Sequence, residues 1–165
     1  MNRRELLAFL RGHRLCVEAS VSPEGHPQAA VVGYGVSDEL ELVFDTLEST
    51  RKLRNLRRDP RVALVVGWDE EQTAQIEGLA DEPGGEELAR LKEAYFAAFP
   101  DGVDRESWPG ITYVRVRPVW VRYSDFRSGG RIVEVDLSRG DEGAGASVTG
   151  GRRPPSRRWR LMPRR

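Results

Sequence analysis

Short apolar runs recur along this chain at close spacing, separated by turn residues, and they never alternate with helices as strand-helix-strand units. Leu15, Val17, Ala19 and Val21 alternate with Cys16, Glu18 and Ser20, which is the two-residue period of a strand. Ser22-Pro23-Glu24-Gly25-His26-Pro27 supplies a turn, and Ala29 to Tyr34 returns as the second arm of a hairpin. Leu40 to Thr46 follows as a third antiparallel strand in succession. Arg61 to Trp68 is nearly continuous Val, Ala and Leu, the pattern of a strand buried on both faces, and Ala74 to Ala80 is a further strand. Ile111 to Arg117 alternates, Pro118 interrupts, Trp120 to Phe126 continues extended, and Arg131 to Leu137 is a last short strand after Gly129-Gly130. Six or seven short strands of this kind predict a mainly β, antiparallel closed barrel rather than a doubly wound sheet.

Helical spacing occurs in three places. Arg4 to Leu10 predicts a short amphipathic helix, Leu47 to Arg58 a basic one ended by Asp59-Pro60, and Gly85 to Ala98 a second main helix ended at Phe99-Pro100-Asp101-Gly102. The barrel therefore carries two to three flanking helices. Residues 1–137 read as one domain, 138–150 as a Gly/Ala/Ser-rich flexible linker and 151–165 as a basic tail. That tail holds seven arginines and no acid, so the first 150 residues set 19 basic against 26 acidic side chains. An acidic body argues against non-specific nucleic-acid binding except through the tail. Nothing approaches a membrane span or a signal-peptide core, so a soluble, cytoplasmic protein with no membrane partner is expected.

Much familiar chemistry is absent from the sequence. Cys16 is the only cysteine, mid-strand, and reads as a buried inert thiol; His13 and His26 are not at metal-ligand spacing, so no metal site is expected. Gly33-Tyr34-Gly35 lacks both the third glycine of a dinucleotide fingerprint and the Gly-Lys-Ser/Thr ending of a phosphate loop. No nucleophile elbow or acid–base dyad identifies catalytic residues.

One segment carries a positive signal. Phe44-Asp45-Thr46-Leu47-Glu48-Ser49-Thr50-Arg51-Lys52 runs from a strand end into a helix start, where free N–H groups and the helix dipole favour an anion. Ser49 and Thr50 offer hydroxyls, and Arg51 and Lys52 place two cations in a turn where the dipole disfavours them. A bound phosphate offsets that cost; the alternative is a solvated basic face.

Phe44-Asp45-Thr46, Thr50-Arg51-Lys52, Asn55-Leu56 and Asp59-Pro60-Arg61-Val62-Ala63-Leu64-Val65, taken in order, resemble the cofactor-binding segment of the pyridoxamine 5'-phosphate oxidase family, the flavin-binding split β-barrels. Gly25-His26-Pro27-Gln28, Gln75-Ile76-Glu77-Gly78-Leu79-Ala80 and Arg117-Pro118-Val119-Trp120-Val121-Arg122-Tyr123-Ser124-Asp125-Phe126 extend the resemblance across residues 5 to 137. It implies a homodimeric FMN-dependent oxidoreductase acting on a small molecule, with each site built by two protomers. By that resemblance Arg51 and Lys52 hold the FMN phosphate, Thr50 donates a hydroxyl, and Val31, Val32, Gly33 and Tyr34 form the strand beside the ring. Asp45 and Thr46 lie by the ring or ribityl chain. The small side chains of Ala29, Ala30 and Gly33 let a flat ring approach backbone, or simply pack a strand. Gln75 needs an amide partner if buried, which a ring carbonyl or nitrogen would supply, and Trp120 either covers the ring from the second protomer or anchors a core or interface.

Two departures matter. The family's oxidases carry a phosphate-binding arginine on the second strand where this chain has Ala30, and an Arg-x-His pair near the C-terminus that is missing after Tyr123. The first implies reduced flavin affinity or a different phosphate carrier, and by the second pyridoxal phosphate synthesis is not expected. A deazaflavin coenzyme, F420, is the alternative cofactor, and a non-catalytic flavin-binding or regulatory barrel is the alternative role. The substrate is not readable.

Overall fold

The computed structural model describes residues 1–127, 130–137 and the backbone of 147–149. Helix α1 (Arg3–Arg11) starts with a capping box: the Asn2 side chain accepts from the Glu5 N–H at 2.9 Å and the Glu5 carboxylate from the Asn2 N–H at 2.8 Å. Strands β1 (Leu15–Val21) and β2 (Pro27–Gly33) form the expected hairpin, in register from Leu15–Gly33 to Val21–Pro27. The Ser22 hydroxyl accepts from the N–H groups of Glu24 and His26 across the turn, and Gly25 takes the left-handed conformation that a side chain disfavours.

After Tyr34 alone the chain continues as β3 (Gly35–Val36), which pairs with β4 (Leu42–Leu47). Helix α2 (Arg51–Arg58), β5 (Arg61–Val66), β6 (Gln72–Asp81), α3 (Gly85–Ala98), the short α4 (Gly102–Arg105), β7 (Ile111–Asp125) and β8 (Arg131–Asp136) follow. Hydrogen-bonded neighbours run β2-β1-β5-β6-β7-β4-β3, all antiparallel. Because β2 and β3 are consecutive, the sheet curls round on itself, yet β2 and β4 are not bonded to each other. This is a split β-barrel, with Leu42, Phe44, Leu64, Ile76, Val116 and Val121 inside it together with Leu6 and Leu10 of α1.

Several expectations need correction. The third strand of the succession pairs with β7 and β3 instead of adding to the hairpin, and β1 takes β5 as its other neighbour. Arg61 and Ala63 are exposed, so β5 alternates; the doubly buried strand is β4, because Leu42 and Phe44 face the barrel while Val43 lies under Leu91 and Tyr95 of α3. Pro118 does not interrupt β7. Opposite Glu77 and Gly78 the register shifts by one residue, and this bulge absorbs the proline's missing donor within one 15-residue strand.

The apolar alternation of β1 also faces the unexpected way. Cys16, Glu18 and Ser20 point inward, whereas Leu15, Val17, Ala19 and Val21 join Val31, Ala63, Val65 and Leu79 on an outer face four strands wide. Val31 is 61% exposed there. Within the stretch expected as a linker, Ser147–Thr149 form β9 on β8; the other linker residues and the basic tail lie outside the described residues. No helix among the described residues is long and apolar enough to cross a membrane.

Candidate functional site

Strand β4 delivers the chain directly to α2, and this helix spans the split. At its start the hydroxyls of Thr46 and Thr50 lie 3.0 Å apart. One turn further, the Asn55 amide donates to Ser20 of β1 at 3.3 Å and to Gln28 of β2 at 3.1 Å. Leu53 and Leu56 are buried as the helical spacing predicted, but the helix begins at Arg51, and Leu47, expected on the same face, is the exposed end of β4.

The N-terminus of α2 is electrostatically open. Thr50 is its N-cap but makes no capping hydrogen bond, since its hydroxyl is engaged with Thr46, and no acid stands in the first turn. Among the described residues Arg51 and Lys52 have no ion-pair partner, whereas Arg57 at the other end is held by Glu82 at 2.6 Å and Glu48 at 3.7 Å. Unpaired donors, dipole and two cations thus coincide, with Ser49 exposed beside them.

Beneath Lys52 lies a residue that the sequence reading passed over. Glu18 is 1% exposed, and its Oε1 has no hydrogen-bond partner in the protein. Burial pushes its carboxyl above the usual range, opposed by the Ser20 hydroxyl and the Lys52 ammonium. A half-satisfied carboxyl in such a place costs free energy unless it is neutralised or paired. A charged residue with apolar neighbours on both sides in β1 was the available signal.

Asp45 points to the opposite side of β4, toward α3 and α4. There Arg105 Nε donates to its carboxylate at 2.8 Å and Arg105 Nη2 to the Tyr95 hydroxyl at 2.9 Å. The phenol of Tyr113 next to them is buried without a partner, and burial pushes it up to about 12. Asp45 is thus occupied by Arg105, a residue of the unforeseen α4, and does not share the pocket of Thr46.

The proposed ring-side strand divides. Val32 and Tyr34 belong to the core, and the Tyr34 hydroxyl donates to the Leu10 carbonyl at 2.6 Å. Gly33 is covered by Phe99, whose ring tip would stand 2.6 Å from an added Cβ, and Arg14 lies over that ring at 4.6 Å. Its small size serves an aromatic side chain of the protein itself. Gln75 is exposed on the outer face, opposite Val65 and Arg122, so its amide has no burial to compensate. Trp120, half-buried, pairs with Glu77 near it, and Val31 shares that face. Thr46, Ser49, Thr50, Arg51 and Lys52 cluster where β4 runs into α2; Val31, Gln75 and Trp120 lie apart from them, spread over the outer face from β2 to β7. Cys16 is fully buried with its thiol pushed up to about 12, the inert state expected. No cluster of three metal-ligating side chains occurs among the described residues.

Residues 3–125 match the pyridoxamine 5'-phosphate oxidase family. This chain belongs to that family. A pyridoxine/pyridoxamine 5'-phosphate oxidase of Rubrobacter xylanophilus is 38% identical over 93 residues, 56% of this chain and 41% of the relative. The chain spans less than half the length of the curated oxidases it matches. The same fold occurs in a heme binding protein from Mycobacterium smegmatis (TM-score 0.71, 22% identity, 82% of this chain and 58% of that one). It occurs also in a pyridoxamine 5'-phosphate oxidase-related, FMN binding protein from Nostoc punctiforme (TM-score 0.64, 15% identity, 90% and 91%).

Proposed function

We propose that this family member binds FMN through the α2 N-terminus, at a cleft completed by a second protomer, and acts as a flavin-dependent oxidoreductase on a small molecule. One observation carries the reading: the uncapped, acid-free first turn of α2 holds Arg51 and Lys52 without ion-pair partners beside the Thr46 and Thr50 hydroxyls. These groups fit a phosphate monoester, with N–H, O–H and cationic donors converging. The family's FMN-binding relatives support the choice of cofactor. Bound flavin supplies hydride acceptance and delivery, and the protein's part is anchoring and polarity, so no acid–base dyad is required.

The outer face of β2, β1, β5 and β6 supports the homodimer. Exposed or half-buried aliphatic side chains run across it, and Ala19, Val21, Ala63 and Leu79 line a shallow hollow of about 700 Å³ whose rim carries the charged Asp59, Arg61 and Glu77. Val31, Gln75 and Trp120 share that face, so a second copy seated on it meets Trp120, the residue expected to cover the ring from the other protomer.

The test is an absorbance spectrum of purified protein with mass identification of the copurifying molecule. FMN is expected; a deazaflavin or a heme spectrum selects another ligand, and colourless protein indifferent to added FMN removes the reading. Arg51→Ala with Lys52→Ala removes two charge-assisted contacts, about 3–4 kcal/mol, so FMN affinity falls roughly 10²–10³-fold while riboflavin affinity holds.

A further inference from the structure

Glu18 stands directly across the β1–β2 ladder from Ala30, on the interior side where α2 packs. Around its carboxyl are Cys16 and Ser20 from β1, Ala30 from β2, Leu64 from β5, and Lys52 from α2. Lys52 is the one cation acting on it from these elements. Cys16 is the other titratable group, and its raised thiol stays neutral through the physiological range. Nothing in this shell bonds to Glu18 Oε1.

A carboxyl so placed gives the pocket two charge states. Ionised, it offsets Lys52, and an arriving dianion meets a weakened positive field, since Glu24 also acts on Arg51. Protonated, it frees Lys52 and turns from acceptor to donor. We propose that Glu18 is the specificity-determining residue of this anion site, taking one proton from solvent at its carboxyl when a phosphate monoester dianion enters. Phosphate binding and proton uptake are then a single event, and the site accepts the dianion only as the carboxyl becomes neutral. The inference rests on the reading of α2 as a phosphate site. Burial supports it by already holding the carboxyl above its ordinary range, so an approaching anion completes a shift that the fold has begun.

The experiment is titration calorimetry of the full chain with FMN, riboflavin and inorganic phosphate from pH 7 to 9, in buffers of different ionisation enthalpy. In that range the ligand's own phosphate is already mostly dianionic. The wild type takes up close to one proton per FMN and none per riboflavin, and on the alkaline side of the Glu18 titration its FMN affinity drops by up to about tenfold per pH unit. Glu18→Gln binds FMN without proton uptake, with a flat profile, and more tightly than the wild type at pH 9. The wild-type proton count needs no variant, and Glu18→Leu gives a second neutral side chain if the glutamine form does not fold. FMN binding with no proton uptake, or the same profile in wild type and Glu18→Gln, overturns the role of Glu18 and leaves the flavin reading intact. If FMN, riboflavin and phosphate all fail to bind, the flavin reading falls and this inference with it.

Discussion

Replacing Arg115 with Met tests what the buried ion pairs between β7, β6 and the approach to β4 contribute to stability. The Arg115 side chain is 5% exposed and donates through Nε and Nη2 to Asp81 at 2.8 and 2.7 Å, and through Nη1 to Glu87 at 3.0 Å and Glu41 at 3.2 Å. Met keeps most of the apolar stem, so the loss is chiefly electrostatic. Glu87 is mostly exposed and contributes little. Asp81 and Glu41 retain Arg117 and Arg90, which softens the penalty below the 3–5 kcal/mol of orphaning a lone buried charge; we expect about 2–3 kcal/mol. With a urea slope of about 2 kcal/mol/M for a chain of this size, the midpoint falls by about 1–1.5 M at pH 7. Hydrogen bonding from Arg115 lowers the Asp81 carboxyl below its ordinary range. Its contribution is therefore complete above the unfolded carboxylate value and is lost as pH falls through the lower folded value. The gap between wild type and Arg115→Met should narrow in acid. Equal midpoints at pH 7 refute the reasoning, and a gap unchanged at pH 2–3 shows that packing is what was lost.

Three other outcomes follow from the packing. Gly35→Ala drives a methyl to 2.5 Å from the Ala94 carbonyl oxygen and 2.6 Å from Tyr95 Cα, backbone that cannot rotate aside; a loss of about 3 kcal/mol or more, read by thermal denaturation, is expected. The Cys16 thiol should resist an aromatic disulfide reagent at pH 8 in the native protein and react in denaturant, because burial pushes it up to about 12. Val31→Arg should convert the proposed dimer into a monomer by light scattering while leaving the protomer's melting curve within about 0.5 kcal/mol, since Val31 is exposed in the protomer.

What was legible in the sequence depended on locality. The position of Arg51 and Lys52 at a helix start is a local fact, and the period change after Thr46 identified it. Residues joined across long separations gave no such signal: Arg105 reaches Asp45 from a four-residue helix with a glycine at its start, and Phe99 covers Gly33 from the far end of α3. Gly33 looked like room for a ligand because the sequence does not say which ring fills the space. Pro118 looked like an end because the bulge that accommodates it depends on pairing with Glu77 and Gly78.

The inverted β1 connects interface and site. Side chains alternate with a period of two, so one register choice sends Leu15, Val17, Ala19 and Val21 outward and Cys16, Glu18 and Ser20 inward. In a lone protomer the opposite choice would bury more apolar area, at roughly 25 cal/mol per Å². The observed choice is held from within, since Asn55 of α2 bonds Ser20, and Glu18 lies opposite Ala30 where a longer side chain would compete for the same space. The proposed second copy on the outer face would recover the apolar burial that this register gives up. The same strand that leaves an apolar face outside thus presents a titratable acid to Lys52 inside, so the proposed dimer and the proposed anion site both rest on one pairing.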